Sequence, residues 1–538
     1  MQVSRFPLIP LCGAEPELES SGHLESSGHL WRVMERIELD GESLNLQTLE
    51  RIAGGGCEVV LAARAVARMK ASREVVERHF AEGKTVYGVT TGFGVFSDVV
   101  IPREKALELQ RNLILSHCAG VGEPLPPRVA RAMMALRANA LAKGHSGIRL
   151  EPVELLLRLL SKDVVPVIPS QGSVGASGDL APLAHLAAAL MGIGEVGGGG
   201  SRLPASEALE RLGEKPVAFE AKEGLAMING TQAITAIGGL ALARALRLVD
   251  LADGIAAMTL DALEGTDTAF DERIHLARPH DGQLLVARRM RKLVEGSELR
   301  ESHRDCARVQ DAYSLRCIPQ VHGAVRDGLA FAAQKMAIEI NSATDNPLVF
   351  ENGDVISGGN FHGAPVALAC DVAAIALTDM ASISERRIER LVNPDLSGLP
   401  PFLVKEGGLH SGFMIAQVTA AALVSESKAL AHPASVDSIP TSANKEDHVS
   451  MGPIAARKLA SIVENLAGVV AIEAICAAQA LDFRRPLRSS PAIEALHARI
   501  RRATPPWEAD RYLHQDLVSV GGILDELHAE LDGFLAPG

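Results

Sequence analysis

Ala176, Ser177 and Gly178 stand in a row at the end of a Gly- and Pro-containing loop that runs from Pro166 to Gly175, directly ahead of Asp179. A small residue, a serine and a glycine in that order can cyclise. The amide nitrogen of Gly178 attacks the carbonyl carbon of Ala176. Loss of two waters, one of which carries the Ser177 hydroxyl, leaves a five-membered ring with an exocyclic methylidene, 4-methylidene-imidazole-5-one (MIO). Each position has a physical reason. Gly178 has no side chain to shield its nitrogen and bends easily, Ser177 supplies the leaving hydroxyl, and Ala176 is small. The segment Leu-Ala-Pro-Leu-Ala-His185 that follows reads as the start of a helix, and its positive end would sharpen an electrophile placed there. The tripeptide alone says little. At ordinary composition roughly 0.2 copies arise by chance in a chain this long, and a helix-capping loop explains it equally well.

The chain that must hold this loop has 538 residues, enough for a large core and, by length alone, about two to four domains. Aromatic residues make up 3% of it, with three tyrosines, while Ala and Leu are abundant. That composition favours helices over strands. In 454–476, Ile454, Leu459, Ile462, Val463, Leu466, Val470 and Ile475 recur at three-to-four spacing and form one apolar face. Residues 365–392 read as a second long helix, rich in Ala on one side. Long helices with many small residues pack closely, which predicts a mainly α fold with a central bundle of long helices and burial between chains. Gly/Pro-rich loops are expected at 88–94, 165–178 and 195–204. The segments divide as follows. Residues 1–35, with ESSGHL repeated at 19–24 and 25–30, read as a disordered extension. An N-terminal domain bearing the tripeptide spans 36–230, the long-helix bundle 231–490, and a C-terminal helical segment 491–538.

Several function classes are disfavoured. The net charge of −13 argues against nucleic acid and anionic membranes as main partners. The longest apolar runs are interrupted by Gly, charge or Pro before the roughly 18 residues of a membrane span. Seven scattered cysteines (Cys12, Cys57, Cys118, Cys306, Cys317, Cys370 and Cys476) form no CxxC and no metal-ligand spacing, which suits free thiols in the cytoplasm and no bound metal. There is no phosphate-binding or dinucleotide-binding glycine loop.

Seven ordered segments carry a resemblance across about residues 40–490: YGVTTGFG, LQRNLILSHCAGVGEPL, GSVGASGDLAPLAH, EGLAMINGTQ, VQDAYSLRCIPQ, NSATDNPLVF with GGNFHGAPVA, and SIPTSANKEDHVSM. Together they resemble the MIO-dependent family of histidine, phenylalanine and tyrosine ammonia-lyases and related aminomutases, and most closely the histidine lyases. The resemblance implies the fumarase/aspartase-like helical architecture and a homotetramer with 222 symmetry, each site drawing residues from three subunits. It also implies the chemistry. MIO, formed from the chain itself with no external cofactor, takes the amine of an amino acid and makes it a better leaving group. A base removes the β-proton, and a cation anchors the carboxylate.

By the same resemblance, Tyr87 is the base. To be deprotonated near neutral pH it needs positive potential nearby. Arg316, whose planar fork suits a carboxylate, is the anchor, with Gln310 and Tyr313 lining the same site and Tyr313 donating near the MIO ring or the amine. Asn229 matches the asparagine that binds the carboxylate and the MIO carbonyl, and Phe361 the aromatic packed beside the ring. On general grounds Tyr87 and Phe361 would be core residues, Arg316 a surface ion pair and Asn229 part of an Asn-Gly turn. Ser116-His117 resembles the pair that meets the substrate ring in histidine lyases, where an apolar pocket would leave ring nitrogens unsatisfied. Glu446 points to the same substrate, holding an imidazole N–H or assisting proton transfer. Lys445 departs from the family's usual glutamine. Beside Glu446 it would hold the carboxylate ionised and bring positive charge to the ring, or turn away to another subunit. Ala312 and Ala364 replace a family proline and glutamate.

The expected activity is elimination of ammonia from L-histidine to give urocanate. The alternatives are a phenylalanine or tyrosine lyase, an aminomutase, a lyase for a modified histidine such as a ring-thiolated one, or a helical tetramer that kept the fold without the chemistry. The GSSxMPxKxN loop of fumarase-type eliminations is absent from the chain.

Overall fold

The computed structural model describes residues 34–535 apart from 89, 93, 199, 200 and 305–308. Residues 1–33 of the expected extension lie outside the described residues. Glu35 already opens a strand, Glu35–Leu39, paired in parallel with Cys57–Leu61.

The architecture is mainly helical, and five helices make its centre: Gln232–Ala262, Ile318–Glu339, Ala364–Val392, Met414–Leu430 and Gly452–Phe483. Ala364–Val392 packs along both Gly452–Phe483 and Ile318–Glu339, and Gly452–Phe483 also runs along Gln232–Ala262. Alanine makes this possible, because it favours helix and lets axes approach. Of the apolar face expected in 454–476, every member is buried except Ile454, which is 40% exposed. One continuous core reaches from Ile37 to Leu531 and draws on all three segments 36–230, 231–490 and 491–538.

Ala364–Val392 and Gly452–Phe483 are long and apolar enough by length and composition to cross a membrane, although charge interrupts each of them as the sequence indicates, at Asp371 and Asp379 and at Glu464 and Glu473. Most of each helix is buried within the protein, so its apolarity is used in packing.

A buried polar network fixes the register of four of these helices. Arg387 makes a two-pronged contact with Glu473 at 2.6 and 2.9 Å, and Glu473 also accepts from Thr259 Oγ1 at 2.8 Å. His322 Nδ1 donates to Asp253 at 2.8 Å, and its Nε2 lies 3.2 Å from Arg387 Nη1, which can only donate. Burial lowers the His322 pKa, in keeping with the neutral ring this geometry requires. Removing one member would strand a buried charge.

The Gly/Pro-rich stretches at 165–178 and 195–204 hold short strands that the sequence reading passed over: Val165–Pro166, Pro169–Gln171, Glu195–Gly198 and Ser201–Pro204. Pro169–Gln171 pairs antiparallel with Val121–Pro124. That pairing pins the stem of the Ala176-Ser177-Gly178 loop.

Candidate active site

The loop is closed on itself and clamped from two sides. Ser173 Oγ accepts from Gly175 N at 3.1 Å and donates to the Gly178 carbonyl at 3.2 Å. On one side, Met451 N donates to Val174 O at 2.9 Å and Ser450 Oγ to Gly175 O at 3.0 Å. On the other, Gly178 lies beside Gly230. Gly178 has φ +76°, and a Cβ there would collide with the Gly230 carbonyl. Only glycine combines that backbone with that approach.

Asp179 joins the loop to the bundle. Its N–H donates to Gly230 O at 2.7 Å. Its carboxylate does not cap the helix it precedes, Leu180–Leu190, but accepts from Ala233 N at 2.7 Å and Ile234 N at 2.9 Å at the start of Gln232–Ala262. Burial pushes this carboxyl up to about 7 in spite of both hydrogen bonds. Asp179→Ala is expected to lower stability by about 0.5–2 kcal/mol, the usual worth of such a cap, as read by urea unfolding.

Asn229 ends the helix Glu223–Ile228, and its Nδ2 donates to the Ser177 carbonyl at 3.1 Å. Its Oδ1 is buried without a partner, an acceptor left for a ligand group. The Asn229 carbonyl is held in turn by the fully buried Arg137, whose Nη1 also donates to Gln232 Oε1.

Ser177 Oγ donates to Glu446 Oε1 at 2.8 Å. The other carboxylate oxygen accepts from Thr441 Oγ1 at 2.6 Å and Ser442 Oγ at 2.8 Å. Burial opposes the charge on Glu446, but these three hydrogen bonds and the nearby His117 outweigh it and hold the pKa below the ordinary carboxylate value. This corrects the role expected of Lys445. That side chain is exposed, and the hydroxyls of Thr441, Ser442 and Ser177 are what favour the ionised Glu446.

Tyr87, Ser116, His117, Ser177, Asn229 and Glu446 line one cavity of about 680 Å³, walled also by Phe96, Leu113, Leu225 and Ile228. His117 Nδ1 lies 2.8 Å from the Leu113 carbonyl, which can only accept, so the neutral ring carries its hydrogen there and Nε2 keeps a lone pair. Burial lowers the His117 pKa, favouring that neutral form. The Tyr87 hydroxyl accepts from Gly94 N at 3.5 Å. Contrary to the expectation of a lowered pKa, burial raises it, with Glu446 and Asp345 adding to the effect. Within one chain, positive potential does not win at Tyr87.

Among the described residues, the cavity wall does not include Gln310, Tyr313, Arg316, Phe361 or Lys445. Tyr313 is 71% exposed, Gln310 and Lys445 are exposed, and Phe361 is half-buried. Arg316 lies 4.6 Å over the Tyr313 ring, and its Nε is buried without a partner.

Sequence reasoning missed Asp179 as the clamp, Arg137, and the hydroxyl pair Thr441 and Ser442. Asp179 had a signal in its place directly after the tripeptide. Arg137 had none, since it is one of three arginines in the Ala-rich helix Pro127–Ala142 and reads as surface like the others.

The residues present fit an MIO group. The loop is compact around Gly178, the carbonyl that the ring retains already has a donor in Asn229, and the hydroxyl to be lost faces the cavity.

A family model described as aromatic amino acid lyase matches residues 44–502. A histidine ammonia-lyase of Stigmatella aurantiaca is 56% identical over 491 residues, covering 91% of this chain and 96% of that one. The crystal structure of histidine ammonia-lyase from Trypanosoma cruzi superposes with a TM-score of 0.87 at 47% identity, covering 93% of this chain and 95% of the other. A tyrosine aminomutase from Streptomyces globisporus gives 0.88 at 40% identity, covering 93% and 98%.

Proposed function

The chain belongs to the aromatic amino acid lyase family, and on that premise we propose that it eliminates ammonia from L-histidine to give urocanate, in the cytoplasm, with MIO formed from Ala176-Ser177-Gly178. It is a carbon–nitrogen lyase by family. One observation carries the reading of the substrate. The Ser177 wall of the cavity faces a polar set, Ser116, His117 and Glu446, suited to the two nitrogens of an imidazole. A phenyl or phenol ring would leave most of that set unpaired.

MIO, when formed, supplies the electrophile that makes the amine a better leaving group. The chain's own residues do the rest. Tyr87 takes the β-proton. Asn229 holds the Ser177 carbonyl and offers its unpaired Oδ1 to the substrate. Glu446 accepts from the imidazole N–H.

Arg316, Gln310, Tyr313 and Phe361 complete the site from neighbouring subunits of a homotetramer. Their position outside the cavity supports this, as do the exposed apolar residues Leu368, Ile375, Ile415 and Val418 on the bundle helices. In the assembly Arg316 anchors the carboxylate and adds the positive potential that Tyr87 lacks in one chain. Lys445, exposed beside the site, meets a neighbouring chain.

The test uses purified protein with histidine, phenylalanine and tyrosine, each followed in the ultraviolet. Urocanate from histidine, with turnover of the other two at least about tenfold slower, is the expected result. Faster formation of cinnamate or coumarate, or a β-amino acid product, would overturn it. The peptide spanning 170–190 is expected about 36 Da below its encoded mass, the loss of two waters.

A further inference from the structure

One contact of Glu446 serves no step with substrate. The hydroxyl of Ser177 donates to Oε1 of Glu446, yet that hydroxyl is lost when the ring forms. The hydrogen bond therefore exists only in the uncyclised chain. The carboxylate is built to make it. Oε2 is occupied by Thr441 and Ser442, and the backbones of Thr441 and Glu446 are bonded to each other at 3.0 and 3.4 Å, which leaves Oε1 aimed at Ser177. Of the titratable groups on this wall, Glu446 is the one that holds the Ser177 hydroxyl. His117 gives its Nδ1 hydrogen to Leu113, and the Tyr87 hydroxyl is engaged with Gly94.

We propose that Glu446 is the proton carrier for the dehydration of Ser177, the step that creates the methylidene carbon, before any substrate arrives. The proposal rests on the reading above that Ala176-Ser177-Gly178 cyclises.

The atoms balance without an oxidant or reductant. In the first dehydration the Gly178 nitrogen bonds to the Ala176 carbonyl carbon. The carbonyl oxygen leaves as water with the hydrogens of the Gly178 and Ser177 nitrogens. In the second, the Ser177 Cα–H and Cβ–Oγ bonds break and a Cα=Cβ double bond forms. Hydroxide is a poor leaving group, so Oγ must depart carrying a proton. The Glu446 carboxylate takes the proton from Cα and returns it to Oγ, which leaves as water, and Glu446 is a carboxylate again. A carboxylate held ionised by its neighbours starts this cycle in the correct state. Ser177 is the substrate here, and Glu446 touches the reacting atom.

The test is the mass of the 170–190 peptide in Glu446→Gln and Glu446→Ala, read beside the parent. Gln keeps the shape and still accepts from Ser177 Oγ, but it carries no proton. A merely positioning role would therefore be rescued by Gln. Circular dichroism and sizing confirm that each variant folds and assembles like the parent, and Ala serves as the second variant if Gln does not. The expected result is a fraction at about −36 Da below a tenth of the parent's, replaced by a species at about −18 Da that retains the serine hydroxyl, or by the encoded mass. A folded variant with more than a tenth of the parent's −36 Da fraction overturns the proposal. A parent at its encoded mass overturns the cyclisation itself, and the proposal with it. The two failures are thereby distinct.

Discussion

Ser177→Ala is expected to keep the 170–190 peptide from reaching the −36 Da mass, leaving it at its encoded mass or about 18 Da below, and to lower kcat on histidine at least about a thousandfold, equivalent to roughly 4 kcal/mol of barrier. Alanine has no hydroxyl to lose, so no methylidene carbon forms and the amine must leave unaided. The fold should not suffer. The Ser177 side chain bonds to Glu446, which keeps Thr441 and Ser442 as partners, while the clamp through Asp179 and Gly230 is backbone and carboxylate. Urea unfolding should therefore shift by less than about 1 kcal/mol. Activity within tenfold of the parent would mean that the elimination runs through some other group.

Tyr87→Phe is expected to cost about 10²–10⁴ in kcat, the usual worth of a positioned general base, while the peptide still matures to the lower mass. Gly94 N–H donates to this hydroxyl over 3.5 Å, and urea unfolding reads any loss of stability in parallel. The pH profile separates a base from a packing residue. Burial first, then Glu446 and Asp345, raise the phenol's pKa in one chain. A base works as the phenolate, so below that pKa its active fraction grows tenfold per pH unit. The parent's kcat should rise with pH through the neutral range, and the Tyr87→Phe profile should lack that limb. A full rate in the variant, or the same rising limb, would remove Tyr87 from the role.

Much of this was legible in the residues, and what was not has physical causes. The long helices of 365–392 and 454–476 were visible because apolar spacing repeats over many turns. Ile454 broke the pattern, since periodicity says which residues share a face and not where the face ends. The strands around the loop are two to four residues long, too short for alternation to register. The cavity set of Tyr87, Ser116, His117, Asn229 and Glu446 followed from resemblance, because residues so far apart in the chain have no local signal of meeting. The state of Tyr87 and the support of Glu446 were misjudged for a common reason. Both depend on burial and on which hydrogen bonds form, and Lys445, adjacent in sequence, turns out exposed.

The tripeptide is common, and the space it occupies is not. A side chain added at Gly178 would run into the Gly230 carbonyl, and one added at Gly175 into the Ser450 hydroxyl. The Ala176-Ser177-Gly178 loop is thus the middle layer of three backbones, with 228–234 on one side and 449–453 on the other. For protein engineering, this makes the electrophile poorly portable. Grafting Ala-Ser-Gly onto another scaffold's loop would transfer the reactive atoms and leave behind the walls that press them together. The transferable unit is three discontinuous segments with their glycines matched, so a graft should be scored on that vice before it is scored on the catalytic residues.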